Sequence, residues 1–507
     1  MAKKSHHRAG ANPAPSLTES SKTTVTVARS VPSIATAIGI AVGSKGAVPR
    51  QIGLDRDALA AAGFEGKQGQ TLVIPKDGKT VVIAVGVGDA GLDVAKLRDA
   101  AAAFARAASR QSHLATGLAD VASGVAPAAA AQAVTEGVLL ARYRYEQRKS
   151  KKSDAPLEAL TLVTTAERQK AEAAGAKLGQ TMAAAAMLAR DLANAPAMEL
   201  PAKRMAEIAE EVARARGLTV EVFDKGDLEK LGCGGILGVN AGSTEPPRMV
   251  KLTYKPKGTK GKGGHLVMVG KGIMYDSGGI NLKPAQGMQL FMKMDMAGAA
   301  AVLGTMSVLR DLDCPNTVTA FLMCTDNMPS GSATKMGDVL THRNGKTVEI
   351  HNTDAEGRLI LADGLALAAE MKPDAIINVG TLTGAIFAAL GEHLTGVFSN
   401  HDGFAQQVQA SADRTDETIW RMPLDRRYRK QIDSAIADLK NMGDAQPGSI
   451  TAALYLEEFV DGIPWTHFDI CGTMKLDVDD AWRSKGATGV CARLFADLAL
   501  NFTPPKR

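Results

Sequence analysis

Asp354, Glu356 and Arg358 stand within five consecutive positions of the stretch NTDAEGRL (352–359), just ahead of an apolar run that needs none of them for burial. Upstream, KGIMYDSGGINLK (271–283) places Lys271, Asp276 and Lys283 in one glycine-rich stretch. Asp295, in KMDMAGAAA, is the sole acidic residue between Asp276 and Asp311. A carboxylate among such neighbours is costly to bury unless it is paired or coordinates a cation. Asp276, Asp295, Asp354 and Glu356 are therefore candidates for one hard-cation site. Read as an extended segment, the motif points Asp354 and Glu356 the same way, and Gly357 beside them lets the backbone approach closely. Four carboxylates exceed what one divalent ion needs beside its waters, whereas two ions about 3.5–4 Å apart could share them as bridging ligands. Oxygen-rich ligation without histidine or cysteine favours magnesium, manganese or zinc over copper or iron–sulfur chemistry. Any one of these acids alone is more readily a helix cap or a surface pair; four together with two lysines are not.

The elements that must position these groups alternate. Short strands are expected at 265–270, 318–324, 375–380 and 466–471, and helices near 166–193, 203–216, 298–310, 359–371 and 487–500. That order predicts an α/β fold whose larger C-terminal domain has a mostly parallel central sheet flanked by helices. Ligand sites in such sheets lie beyond the carboxyl ends of the strands. Residues 23–150 alternate β-branched runs (TVTVA, TVVIAVGVG) with alanine-rich helical ones, which predicts a smaller N-terminal α/β domain. The expected organisation is a disordered tail over 1–22, the N-terminal domain over 23–155, a linker helix region over 156–180 and the catalytic domain over 181–507. The basic run RKSKKSDAP (148–156) is the natural linker, and KPKGTKGKGG (255–264) reads as a flexible, solvated loop. GVGD (86–89) follows a strand but lacks the third glycine and the later spacing of a dinucleotide loop.

Composition narrows the class. The 507 residues are 45% hydrophobic and 22% charged, an ordinary globular balance, and the formal charge of +5 requires no nucleic-acid face. The five cysteines are scattered and form no CxxC, which fits a reducing cytoplasm and excludes both a disulfide framework and a zinc–thiolate site. The tail has a basic start without an apolar core, so it is not read as a signal peptide, and its His6 and His7 are read as inert. The run 31–42 is too short and too interrupted to span a bilayer.

NTDAEGRL together with GKGIMYDSGGINLKP resembles the cytosolic leucyl aminopeptidase family of dinuclear metallopeptidases. The resemblance extends through RDLANAP, GSTEPPR, DNMPSGSATKMGDVL, VGTLTGA, WRMPL, DLKN, GSITAALYL and DICGTM, covering residues 160–500 and more weakly the N-terminal domain. It implies a tight metal site of Lys271, Asp276, Asp295 and Glu356, and a more exchangeable one of Asp276, Asp354 and Glu356. The lysine ligand would be a neutral amine, its pKa depressed by the adjacent dication. Manganese or zinc is implied, with magnesium or cobalt as alternatives. Lys283 would stay charged and stabilise the developing oxyanion, while Arg358 would hold a bicarbonate serving as general base. The implied side-chain pocket is Met292, Thr381, Gly384, Cys471 and Met474, an apolar set suited to leucine or methionine. The family pattern has a smaller alanine where Cys471 stands and one residue fewer before Asp295, an addition expected to be absorbed in MQLF (288–291). The implied activity is release of N-terminal residues from peptides with a free N-terminus, by a cytoplasmic homohexamer without a membrane partner. Competing readings are an additional DNA-binding role, a catalytically silent relative, and a two-metal phosphoesterase, the last opposed by the lack of histidine ligands.

Overall fold

A computed structural model describes residues 12–19, 22–89, 91–258, 263–285 and 287–506. Of the segments expected to be disordered or flexible, 1–11, 20–21 and 259–262 lie outside the described residues; within the tail, Ser16–Glu19 forms one helical turn. The chain divides into two compact units, residues 15–187 with 476–486, and residues 188–475 with 487–507.

In the first unit six strands lie in the order Thr24–Ala28, Ala159–Val163, His113–Thr116, Ala37–Gly43, Val81–Gly88, Thr71–Pro75. All neighbours are parallel except the last pair. The helices Val94–Ala107 and Pro127–Arg142 bury Leu97, Phe104, Val134 and Leu140 completely. Their alanine-rich faces permit close packing: a Cβ on Gly137 would come within 2.3 Å of the Arg98 carbonyl oxygen. The return of Leu476–Gly486 to this unit has no local sequence signal. It is secured by Arg106 and Arg144, which share the Asp479 carboxylate at 2.5 and 2.9 Å.

The second unit holds an eight-stranded sheet in the order Ile419–Arg421, Thr395–Ser399, Trp465–Asp469, Ala375–Gly380, His265–Asp276, Thr317–Asn327, Arg248–Tyr254, Thr219–Phe223. The central four are mutually parallel, and the antiparallel pairings fall outside them. The expected strand at 265–270 runs on to Asp276 because nearly every residue is buried, leaving no alternation to mark its end. Val269 meets the helix Glu356–Glu370 at Gly364, whereas Gly270 meets the helix Ala297–Met306 at Ala299. Successive residues of a strand face opposite ways, so the two helices cover opposite faces of the sheet. Both are buried around almost their whole circumference, in keeping with their small and aliphatic sequences.

The last helix begins at Ala492, not near 487. Its start is fixed from a distance: Glu417 accepts the N–H of Cys491 at 2.6 Å and that of Leu494 at 3.3 Å. Among the described residues no helix is long and apolar enough to cross a membrane.

Candidate active site

The carboxyl ends of the four central strands bring the predicted residues together. Asp276 ends its strand with Oδ1 accepting from the Gly278 N–H and from Asn327 Nδ2, both at 2.9 Å. Its Oδ2 lies 2.8 Å from Lys283 Nζ, which also reaches Asp354 Oδ1 at 2.6 Å. Asn327, at the end of the neighbouring strand, donates with the same amide to the Thr353 carbonyl at 3.0 Å, tying the NTDAEGRL loop to the sheet. Gly278 adopts φ +92°, and a Cβ there would lie 2.9 Å from Asp354 Oδ1, so glycine is required on both counts.

The expectation of an extended segment carrying Asp354 and Glu356 is corrected. Asp354 lies in a turn whose Asn352 side chain accepts the Asp354 N–H at 2.8 Å, and Glu356 is the first residue of the following helix. An asparagine two residues ahead favours such a turn, and a carboxylate suits the positive end of a helix. The two acids still converge: one oxygen each of Asp276, Asp354 and Glu356 lies within 4.8 Å of the others.

Lys271 points into the same cluster from its strand. Its Nζ lies 2.9 and 2.8 Å from the two oxygens of Asp295, 2.8 Å from Glu356 Oε1, and donates to the Thr381 carbonyl at 2.6 Å. Room for this side chain comes from absent ones: a Cβ on Gly357 would sit 2.7 Å from Lys271 Cε, and one on Gly380 2.9 Å from Lys271 Cβ. Asp295, which has no counter-charge in its local sequence, thus finds one across the sheet. It also accepts the Thr381 hydroxyl at 2.5 Å. The segment before it is a helical turn, Met288–Phe291, followed by the 3-10 turn Met292–Met294.

Four buried or half-buried carboxylates thus face two ammonium groups, leaving negative charge in excess. Burial and then repulsion from Glu356 push Asp276 up to about 6 and raise Asp354 as well. Burial holds Asp295 well above the carboxylate range despite Lys271. For Glu356, burial is outweighed by Lys271 and Lys283, and its pKa is lowered. Both lysines are raised: burial opposes their charge, but Asp295 and Glu356 outweigh it at Lys271, as Asp276 and Glu356 do at Lys283. Glu356 Oε2 is buried with no hydrogen-bond partner. A carboxylate-rich cluster with excess negative charge and an orphaned carboxylate oxygen has the chemistry of a divalent-cation site.

Arg358 lies two residues beyond Glu356 in the same helix, 4% exposed, with Nη1 donating to the Asn441 carbonyl at 2.8 Å and Nε buried without a partner. Of the pocket residues, Thr381 joins the charged cluster directly. Cys471 is half-buried and close enough to Asp469 and Asp295 to feel their charge, while burial chiefly pushes its thiol up to about 12. Met474 is buried, Met292 half-buried, and Gly384 exposed at the start of the helix Gly384–Leu390. Sequence reasoning missed Asn327 and the double role of Thr381, since both act through partners far along the chain.

Residues 187–496 match the catalytic domain of the cytosol aminopeptidase family, and residues 53–152 its N-terminal domain. The probable cytosol aminopeptidase of Thermosynechococcus vestitus is 40% identical over 455 residues, covering 88% of this chain and 90% of the relative. That of Streptomyces avermitilis is 43% identical over 460 residues, covering 87% and 88%. Among solved structures, the bottromycin maturation enzyme BotP in complex with Mn superposes with a TM-score of 0.84 at 38% identity, covering 92% of this chain and 99% of that one. A mutant of tomato leucine aminopeptidase gives 0.86 at 29% identity, covering 97% and 98%. With both domains matched and relatives this similar over most of its length, the chain belongs to the cytosol aminopeptidase family, and that membership supports a metal-dependent aminopeptidase activity.

Proposed function

We propose that this chain releases leucine and other apolar residues from the N-terminus of peptides, using two divalent ions held by the carboxylate cluster. The observation that carries this reading is the buried excess of negative charge at Asp276, Asp295, Asp354 and Glu356 against only Lys271 and Lys283. Lys271, Asp276, Asp295 and Glu356 would hold the tighter ion, and Asp276, Asp354 and Glu356 the more exchangeable one. Bound there, two ions supply Lewis acidity toward the scissile carbonyl and a water activated at neutral pH. Lys271 could ligate only as the neutral amine, the opposite of what its carboxylate neighbours favour, so holding a dication there would require it to give up its proton to solvent. Lys283, whose pKa is raised, stays charged and faces the oxygen that gains negative charge. Arg358 is suited to holding a small anion through its unpartnered Nε, and bicarbonate there would supply a general base. Thr381, Cys471, Met474, Met292 and Gly384 would frame the leaving residue's side chain, apolar enough for leucine or methionine. Manganese is favoured by the BotP complex, with zinc, magnesium and cobalt the other candidates. A cytoplasmic homohexamer is the accompanying expectation, and a scattering mass of one chain in an active preparation would refute the hexamer.

The test is hydrolysis of leucyl peptides by the metal-stripped protein after adding back manganese, zinc, cobalt or magnesium. Restored turnover is expected with at least one of them; none under any condition overturns the proposal. Arg358→Ala should slow turnover by about 10²-fold, the lower end of what proton transfer by a positioned base contributes. Both metals should remain bound, and added bicarbonate should help the variant less than the parent. Loss of metal in that variant would mean that Arg358 supports the metal site and not the anion.

A further inference from the structure

Asp469 is 1% exposed and ends the strand Trp465–Asp469, its backbone paired with Gly380 on one side and Gly396 on the other. Its side chain reaches out of the sheet toward two loops. Oδ1 lies 3.0 Å from the Leu382 N–H, 3.4 Å from that of Thr383 and 3.3 Å from that of Cys471. Oδ2 accepts the Thr383 hydroxyl at 2.7 Å, and Thr383 Oγ1 in turn accepts the Ile386 N–H at 3.1 Å, capping the helix Gly384–Leu390. One carboxylate therefore takes three backbone amides and a hydroxyl from the segments following two adjacent parallel strands. A buried carboxylate tolerates its site only with such pairing. The roles assigned so far leave Asp469 unused, for neither Lys271 nor Lys283 is among its partners.

The loops it joins carry Thr381 and Gly384 on one side and Cys471 and Met474 on the other. We propose that Asp469 is a positioning residue for side-chain selectivity, fixing the spacing of these two loops so that the pocket between them accepts a branched apolar residue and not merely a small one. The proposal rests on the pocket assignment above. Asp469 acts on KM and on the choice of substrate, through backbone amides, while the carboxylate cluster and Lys283 retain their geometry. Thr381 is the one residue shared by both systems, since its carbonyl and hydroxyl hold Lys271 and Asp295. Those contacts come from the neighbouring strand end and survive a loosened Asp469.

Two variants test this, Asp469→Asn, which keeps the shape with a weaker neutral acceptor, and Thr383→Val, which removes the shared hydroxyl at nearly constant volume. Leucyl and alanyl p-nitroanilides are compared on the manganese-loaded protein, with metal content and thermal melting measured alongside. The preference for leucyl over alanyl substrate should fall about tenfold, the scale of hydrophobic-pocket discrimination, mainly through KM for the leucyl substrate. Metal content should match the parent. In Asp469→Asn the amides of Leu382, Thr383 and Cys471 should exchange hydrogen faster. An equal fall in kcat for both substrates with the preference intact would reduce Asp469 to a structural anchor, and unchanged amide exchange would remove the clamp; either overturns the proposal. If Asp469→Asn does not fold, Thr383→Val alone decides by the same preference ratio. A parent that hydrolyses neither substrate refutes the aminopeptidase reading itself, and this inference falls with it.

Discussion

Asp295→Asn should cost the protein its tighter metal and its peptidase activity together. Asparagine preserves the shape of the side chain and an oxygen for the Thr381 hydroxyl and Lys271, contacts now made at 2.5 and 2.9 Å. What it removes is the negative charge, at a position 5% exposed where Lys271 is the one ion-pair partner among the described residues. After dialysis at a metal concentration that saturates the parent, the variant should retain about one ion per chain instead of about two, the number two-metal chemistry requires. The value of kcat/KM should drop by at least about a hundredfold, the upper end of what losing even an outer partner of a metal ligand costs. Circular dichroism should show the parental fold, because the packing of Ala297–Met306 is untouched. Two retained ions with near-parental activity would reduce Asp295 to a counter-charge for Lys271, and the tight site would need another ligand.

The local sequence around Asp295 could pose this question but not answer it. Its isolation among Met294, Met296, Ala297 and Gly298 signals that a buried acid needs a partner, yet the partner, Lys271, reaches it only because parallel strands bring distant segments to one edge. The long central elements were legible for a related reason. Ala375–Gly380 is apolar but for the buried Asn378 and bounded by a proline-containing turn and a threonine-rich loop, so its limits coincide with expectation. Helices with clear capping or aliphatic patterns, Ala202–Arg216 and Glu356–Glu370, also fell within a few residues of the reading. Boundaries set by tertiary contacts did not. The start at Ala492 depends on Glu417, and the regrouping of Leu476–Gly486 on two arginines far upstream. The antiparallel strands Arg248–Tyr254 and Thr219–Phe223 carry a weaker signal, being mixed in burial and interrupted by charged residues such as Lys251 and Glu221. In the site, residue types announced the ligands, whereas Asn327, Thr381 and Asp469, which hold those ligands and loops in place, act by hydrogen bonds between side chains and backbone groups far apart in the chain, which no spacing rule encodes.

Lys283→Met should separate transition-state stabilisation from metal binding. Lys283 has two partners, Asp276 Oδ2 at 2.8 Å and Asp354 Oδ1 at 2.6 Å, so one view makes it only the cation that neutralises these acids. Two bound dications would do that job better, and in the loaded protein a merely neutralising lysine would be dispensable. A lysine that stays charged beside the ions and faces the reacting carbonyl is different, since its worth is realised only as negative charge develops on that oxygen. Its carboxylate neighbours, which outweigh burial, hold the pKa above the usual lysine value and keep the ammonium available over the working pH range. Methionine removes the charge while filling a similar volume at a position where only 11% of the side chain is exposed. The expected result is a fall in kcat of about 10²–10³, as for loss of one oxyanion donor, with KM little changed and two ions still bound. Because the loss belongs to the transition state, a ground-state competitor such as free leucine should bind the variant and the parent with similar affinity. Parental kcat in a fully loaded variant would confine Lys283 to neutralising Asp276 and Asp354, and the oxyanion would then depend on the ions alone.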